Sequence, residues 1–279
     1  MFPFIAAVSQ AAGIIVDKII LTRRRMEIHV FIPVLFLFLF LLTAILMPFW
    51  GTISLEFFRP YYLIIFVLMI AAALIWNVFY YKGAQAEKVQ EFELIIMFQP
   101  LLTILLAAFL IEKNTNIHLL IASIIASLAL IFSHVKKMHF QLSRESWGLV
   151  LAVVFISIEI ILQRIMLNVL SPVSLYFVRT GIIFVFFIIL YRPRIRQVAN
   201  TNALLILATS TLGVLQMTTK FYGFQELGVI YTSLILILSP ILVYIISTIV
   251  LHERLRVRTI ISALVILGCI VYATVFNFR

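Results

Sequence analysis

Ten apolar runs, each near twenty residues, follow one another along the chain with only short polar turns between them. Their approximate limits are 3–21, 29–49, 61–81, 89–111, 117–135, 147–168, 173–191, 202–223, 228–251 and 257–277. Twenty apolar residues in a helix span the ~30 Å hydrocarbon core of a bilayer. Peptide groups in lipid must be satisfied within the segment, so such runs fold as helices. A membrane barrel would show alternating segments of roughly ten residues, and none is present. Of 279 residues, 64% are hydrophobic and 11% charged, against about a quarter charged in soluble domains. The expected fold is an all-α polytopic membrane protein.

The second constraint is an internal repeat. Gly83-Ala84-Gln85 and Phe98-Gln99-Pro100-Leu101-Leu102 recur as Gly223-Phe224-Gln225 and Leu238-Ser239-Pro240-Ile241-Leu242. After a one-residue slip, Glu112-Lys113 aligns with Glu253-Arg254. The chain divides into repeats 1–138 and 139–279, each with five expected spans. An odd number of crossings per copy makes the second copy enter from the opposite side. Inverted repeats of this kind are common in secondary transporters, which hold solute near the midplane.

Charge sets the expected orientation. Arg23, Arg24, Arg25, Lys82, Lys88, Lys136, Lys137, Arg144, Arg192, Arg194, Arg196, Arg254, Arg256 and Arg258 fall in loops on one side. Arg59, Lys113 and Arg279 fall on the other. The positive-inside rule puts both termini outside the cytoplasm. The net charge of +10 therefore reads as orientation signal and lipid-headgroup contact, not as nucleic-acid binding. Cys269, the one cysteine, reads as packing. The first run lacks a basic leader and reads as an uncleaved anchor.

The repeat, the ten runs, the prolines in spans four and nine, and the acidic-basic pairs that follow resemble the drug/metabolite transporter superfamily, in its EamA-type branch. Gln99-Pro100…Ile111-Glu112-Lys113 and Ser239-Pro240…His252-Glu253-Arg254-Leu255 approximate that branch's pattern. Arg179, in Leu175-Tyr176-Phe177-Val178-Arg179, matches an arginine common early in that span. Ile111 and His252 replace a usual glycine, and the charge-derived orientation is the reverse of the usual one. The resemblance implies a cavity lined by spans one, three, four, six, eight and nine.

Ionisable groups inside spans are costly and mark function by default. Glu159 lies near the centre of span six and is the first candidate for solute binding or coupling. Arg179, near the middle of span seven, is a charge-pairing or gating candidate. Asp17-Lys18 overlays Gln163-Arg164 in the repeat alignment. These pairs suit gates, although snorkelling to the interface explains Lys18 and Arg164 equally well. Lys220 neighbours Gln216, Thr218 and Thr219 in a polar stretch. Gln10, Asn77, Gln99, Gln163 and Gln216 are amides that either read solute or join helices. Trp76 and Tyr80, one turn apart, either line a cavity or serve as bulk. Pro100 and Pro240 are hinge candidates, because proline removes a backbone donor. Ala122/Ala126 and Ser123/Ser127 read as close packing or dimer contacts.

The histidines make no metal-ligand spacing, and no metal or cofactor is expected. HExxH, GxSxG and P-loop motifs are absent. The reading is a secondary transporter, an exporter, of small organic metabolites such as amino acids or drugs, working by alternating access in the plasma (inner) membrane. Its partners are a small solute, the bilayer, and a proton or counter-solute, with a monomer or homodimer as the assembly. The alternatives are a nucleotide-sugar or lipid-linked-sugar carrier and an integral membrane enzyme acting on lipid. A cytoplasm-specific reporter fused after Arg279 is expected to be inactive, and activity would reverse the orientation.

Overall fold

The computed structural model describes residues 1–20, 26–86, 95–113, 115–134, 144–193, 200–251 and 257–277. Its helices are α1 (Phe2–Lys18), α2 (Ile28–Trp50), a 3-10 turn (Leu55–Phe58), α3 (Pro60–Ala86), α4 (Gln99–Leu110), α5 (Ile117–His134), α6 (Arg144–Met166), α7 (Pro172–Tyr191), α8 (Asn200–Leu236), α9 (Leu238–Leu251) and α10 (Val257–Asn277). Among the described residues, five stretches are long and apolar enough to cross a membrane: Ile28–Trp50, Pro60–Gly83, Trp147–Met166, Pro172–Tyr191 and Asn202–Val243. Phe2–Asp17, Gln99–Leu110, Ile117–Ser133 and Ile260–Phe276 are shorter apolar helices.

Several prolines open helices. Pro3, Pro100 and Pro172 sit in the first two positions of α1, α4 and α7, where a missing N–H costs nothing. Ser171 caps α7 by accepting the Ser174 N–H at 3.3 Å. Two breaks fall at the same repeat position. The backbone leaves the helix at Met97-Phe98 ahead of Pro100, and at Ile237 ahead of Pro240. Proline can neither donate to the carbonyl four residues back nor clear it sterically. Each break sits on the turn that the proline ring disrupts.

The chain packs as two compact units that partition it differently from the repeats. The first is Met1–Ile70 with Ile165–Gln225, and the second is Ala71–Arg164 with Glu226–Arg279.

In the first unit α2 packs along α7. The rings of Phe40 and Phe177 stack at 4.9 Å between centroids, and Phe36 stacks on Phe187 at 6.0 Å. Gly181 makes room for this, since a Cβ there would lie 2.8 Å from Phe40 Cε2. The connections at the end of these helices are tied together. Ser54 N–H donates to the Val169 carbonyl at 2.9 Å and Ser171 N–H to the Thr52 carbonyl at 3.0 Å, making a bridge between Ile53 and Leu170. Ser171 Oγ adds a bond from the Thr52 N–H and one to the Trp50 carbonyl, each 3.0 Å.

In the second unit α5 packs against α10. Ala122, Ser123, Ala126 and Ser127 are all buried, as expected of a small-residue stripe. Ser123 and Ser127 donate to the carbonyls of Leu119 and Ser123 on their own helix, each at 2.8 Å. The hydroxyls are thereby satisfied without needing a neighbouring helix.

Overpacking a tight helix contact costs roughly 1–3 kcal/mol. Gly181→Ala is therefore expected to lower the thermal midpoint of the purified protein in detergent, and Phe40→Leu added to it should restore most of the loss. Unchanged midpoints in both variants would contradict this account of the α2–α7 contact.

Candidate functional site

The polar groups that sequence analysis singled out gather most clearly in the second unit. α3 and α6 run antiparallel there. Gly83 lies against Leu149, Gly148 against Phe79 with 3.2 Å between a notional Cβ and the ring, and Trp76 meets Glu159 further along. Glycine on each helix permits the close approach. Trp76 and Tyr80 are one turn apart on α3, and Glu159 and Gln163 one turn apart on α6, so each pair shares a face.

Glu159 is 2% exposed. Its Oε2 accepts the Trp76 indole N–H at 2.5 Å, and its Oε1 accepts the Gln163 amide at 2.8 Å. Indole is purely a donor and suits a carboxylate that must shed water. Hydrogen bonds to a charged group contribute about 1.5–3 kcal/mol each. Tyr80 braces the indole edge-on, with centroids 5.8 Å apart.

Two buried amide oxygens on these helices lack a donor among the described residues. Gln163 uses its amide nitrogen on Glu159, and its buried Oε1 has no hydrogen-bond partner among the described residues. Asn77, next to Trp76 and fully buried, donates to the Ala73 carbonyl at 2.7 Å, and its Oδ1 is likewise unpartnered. A buried polar atom without a partner costs about 1–3 kcal/mol.

A second polar link joins α4 to α6. The Gln99 amide donates to Thr103 Oγ1 at 2.9 Å, Thr103 donates to Ser157 Oγ at 3.1 Å, and Ser157 donates back to the Gln99 carbonyl at 3.4 Å. This ring fixes the start of α4, and Pro100 with it, against the helix that carries Glu159. Thr103 and Ser157 were not candidates from sequence.

The remaining candidates lie elsewhere. In the first unit Asp17 accepts the Thr209 hydroxyl at 2.7 Å, joining α1 to α8. The side chain of Lys18 lies outside the described residues. Lys220 places its ammonium 5.3 Å from the centroid of the Phe224 ring, a cation–π contact. Gln10 and Gln216 are half-buried on α1 and α8, and Arg179 is buried at 4% exposure in α7. Arg164 is half-buried in the last turn of α6, where the helix dipole favours a cation. Glu253-Arg254-Leu255 lies outside the described residues.

The helices that hold Glu159, Gln163 and Ser157 fall within a recognisable sequence family. Residues 144–275 match the EamA-like transporter family. This stretch, just under half of the chain, is similar to that family. That family is part of the drug/metabolite transporter superfamily, and the match together with the apolar helices points to an integral, multi-pass membrane protein. No curated protein matches the sequence. A solved structure described only as "Crystal structure of protein" is similar in fold, with a TM-score of 0.79 at 14% identity over 100% of this chain and 98% of that one. At that identity the likeness concerns the fold alone. The EamA-like stretch contains both Glu159 and Gln163, whereas Trp76 and Asn77 precede it.

Trp76→Phe and Glu159→Gln should each destabilise the protein, and their combination should cost less than the sum. A double-mutant cycle read by thermal unfolding is expected to give a coupling of about 1.5–3 kcal/mol. Coupling near zero would remove the Trp76–Glu159 bond as an organising contact.

Proposed function

We propose that this chain is a secondary transporter of small organic solutes bearing an amine or other N–H-rich cationic group, working by alternating access. The observation that carries this reading is the buried Glu159 carboxylate, held by Trp76 and Gln163 within a helix of the EamA-like stretch. An ammonium group supplies charge and several donors at once. That complements a carboxylate bonded to Gln163, whose own Oε1 lacks a donor among the described residues. Drive by a proton or by a counter-solute is part of this proposal. Nothing in the sequence binds nucleotide through a P-loop.

The proposed architecture is ten crossings as two inverted five-helix repeats, 1–138 and 139–279. Asn202–Val243 spans 42 residues, which is about 63 Å of helix. That length serves two crossings of a ~30 Å core. The paired breaks ahead of Pro100 and Pro240 support the repeat and the role of both prolines as hinges. The charge asymmetry supports termini outside the cytoplasm; the plasma (inner) membrane and export are parts of the proposal that rest on the family resemblance.

Two experiments test this. Metabolite profiling of medium and cytosol would compare cells expressing the wild type with cells expressing Glu159→Gln at equal membrane abundance. The expected result is an amine-bearing solute moved to the medium by the wild type alone. Equal redistribution by both would remove Glu159 from the path, and redistribution by neither would oppose transport itself. Separately, alanine at both Pro100 and Pro240 should slow turnover several-fold at unchanged abundance, and unchanged uptake kinetics would rule out the hinges.

A further inference from the structure

Glu112, in the turn after α4, performs a task that the buried carboxylate cluster does not explain. Its Oε1 accepts the N–H of Val229, and its Oε2 accepts the N–H of Ile230 at 3.3 Å. These are the first two donors of the helical segment that restarts after Gly228, where the backbone reaches φ +81° and ψ 170° within α8. The opening N–H groups of a helix have no partner in their own segment. A carboxylate satisfies them and suits the positive end of the helix dipole. Such a cap normally comes from the residue just before the helix. Here it comes from more than a hundred residues away in sequence.

The surroundings are shaped for this contact. Glu112 N–H donates to the Ala107 carbonyl at 2.8 Å, and the Glu112 carbonyl accepts the Thr115 hydroxyl at 2.6 Å and the Thr115 N–H at 3.1 Å. The backbone behind the carboxylate is thus held from both sides. Gly228 answers it. A Cβ there would stand 2.8 Å from Glu112 Oε1, and the positive φ itself favours glycine. Both sides of the contact belong to the second packing unit.

We infer that Glu112 is a positioning residue for transport: its carboxylate clasps the end of α4 to the start of the 229–236 segment, so that the two proline-marked helices move as one piece. The segment that Glu112 caps runs directly into the break at Ile237 and so into Pro240, and α4 itself starts at Pro100. The clasp therefore mechanically joins the far end of one hinge helix to the near side of the other hinge. It also gives a physical role to the acid of the Glu112-Lys113 pair, which does not belong to the Glu159 cluster.

This inference rests on the transporter reading, and its test separates the two. Hydrogen exchange at Val229 and Ile230 in the purified full-length wild type, Glu112→Gln and Glu112→Asp reads the clasp without any transport. Initial rates for the solute found by profiling read its consequence, normalised to membrane abundance. In Glu112→Gln, exchange at these two amides is expected to rise at least tenfold. Maximal rate should fall about tenfold with KM within twofold, and Glu112→Asp should recover part of the rate. A residue with only a folding role would lower abundance and leave the rate per molecule unchanged, and that result would overturn the inference. Unchanged exchange in Glu112→Gln would overturn it as well. If Glu112→Gln fails to accumulate, Gly228→Ala presses on the same contact, and a normal rate per molecule in that variant would also overturn the clasp. Absence of wild-type transport with raised exchange in Glu112→Gln would count against the transporter reading while leaving the contact intact.

Discussion

A carboxylate almost wholly removed from solvent inside a helical bundle has to be met by donors, and the packing of the second unit is arranged around that demand. The Trp76 indole and the Gln163 amide supply them. To reach Glu159, the indole must come from a helix lying close to α6, and Gly83 and Gly148 provide that closeness. The ring of Gln99, Thr103 and Ser157 holds α4 to the same helix. The carboxylate thus joins α3 to α6, the separate ring joins α4 to α6, and Gln163 Oε1 lacks a donor among the described residues.

Breaks in the helices matter as much as the bonds. In lipid a helix interruption leaves carbonyls and N–H groups that need other partners, so it persists only where protein supplies them. Pro100 and Pro240 produce two interruptions at matching repeat positions. Gly228 produces a third, which Glu112 compensates. Each interruption is a place where the backbone can change direction at modest cost. A chain that moves solute through a bilayer needs such places without exposing raw backbone.

Much of this was legible in the sequence because hydropathy and spacing act locally. Most apolar runs mark described helices to within a few residues, but α4 starts ten residues into the run 89–111, α8 continues past 223 to Leu236, and α9 starts ten residues into the run 228–251; Glu159 with Gln163 is a one-turn pair that any helical reading finds. The proline positions were legible, but their consequence was sharper than expected. At each, the regular helix is interrupted for only one or two residues on the preceding turn. Thr103 and Ser157 were illegible for a physical reason. A hydroxyl in an apolar helix usually bonds its own backbone, as Ser123, Ser127 and Thr180 do, so its type gives no sign of a partner on another helix. Glu112 carried a signal in its repeat alignment with Glu253, but its target depends on a long-range contact that spacing cannot supply. Gly228 had no signature apart from being one of few glycines.

The central claim is that the Glu159 cluster lies on a solute path open to each side of the membrane in turn. Its most direct test is thiol accessibility. Gln163→Cys would be placed in a Cys269→Ser background and treated in sealed vesicles with a membrane-impermeant maleimide from one side, then from the other. The account predicts labelling from both sides, slowed by an amine-bearing solute that is transported. Labelling from one side only, or labelling indifferent to solute, would contradict it.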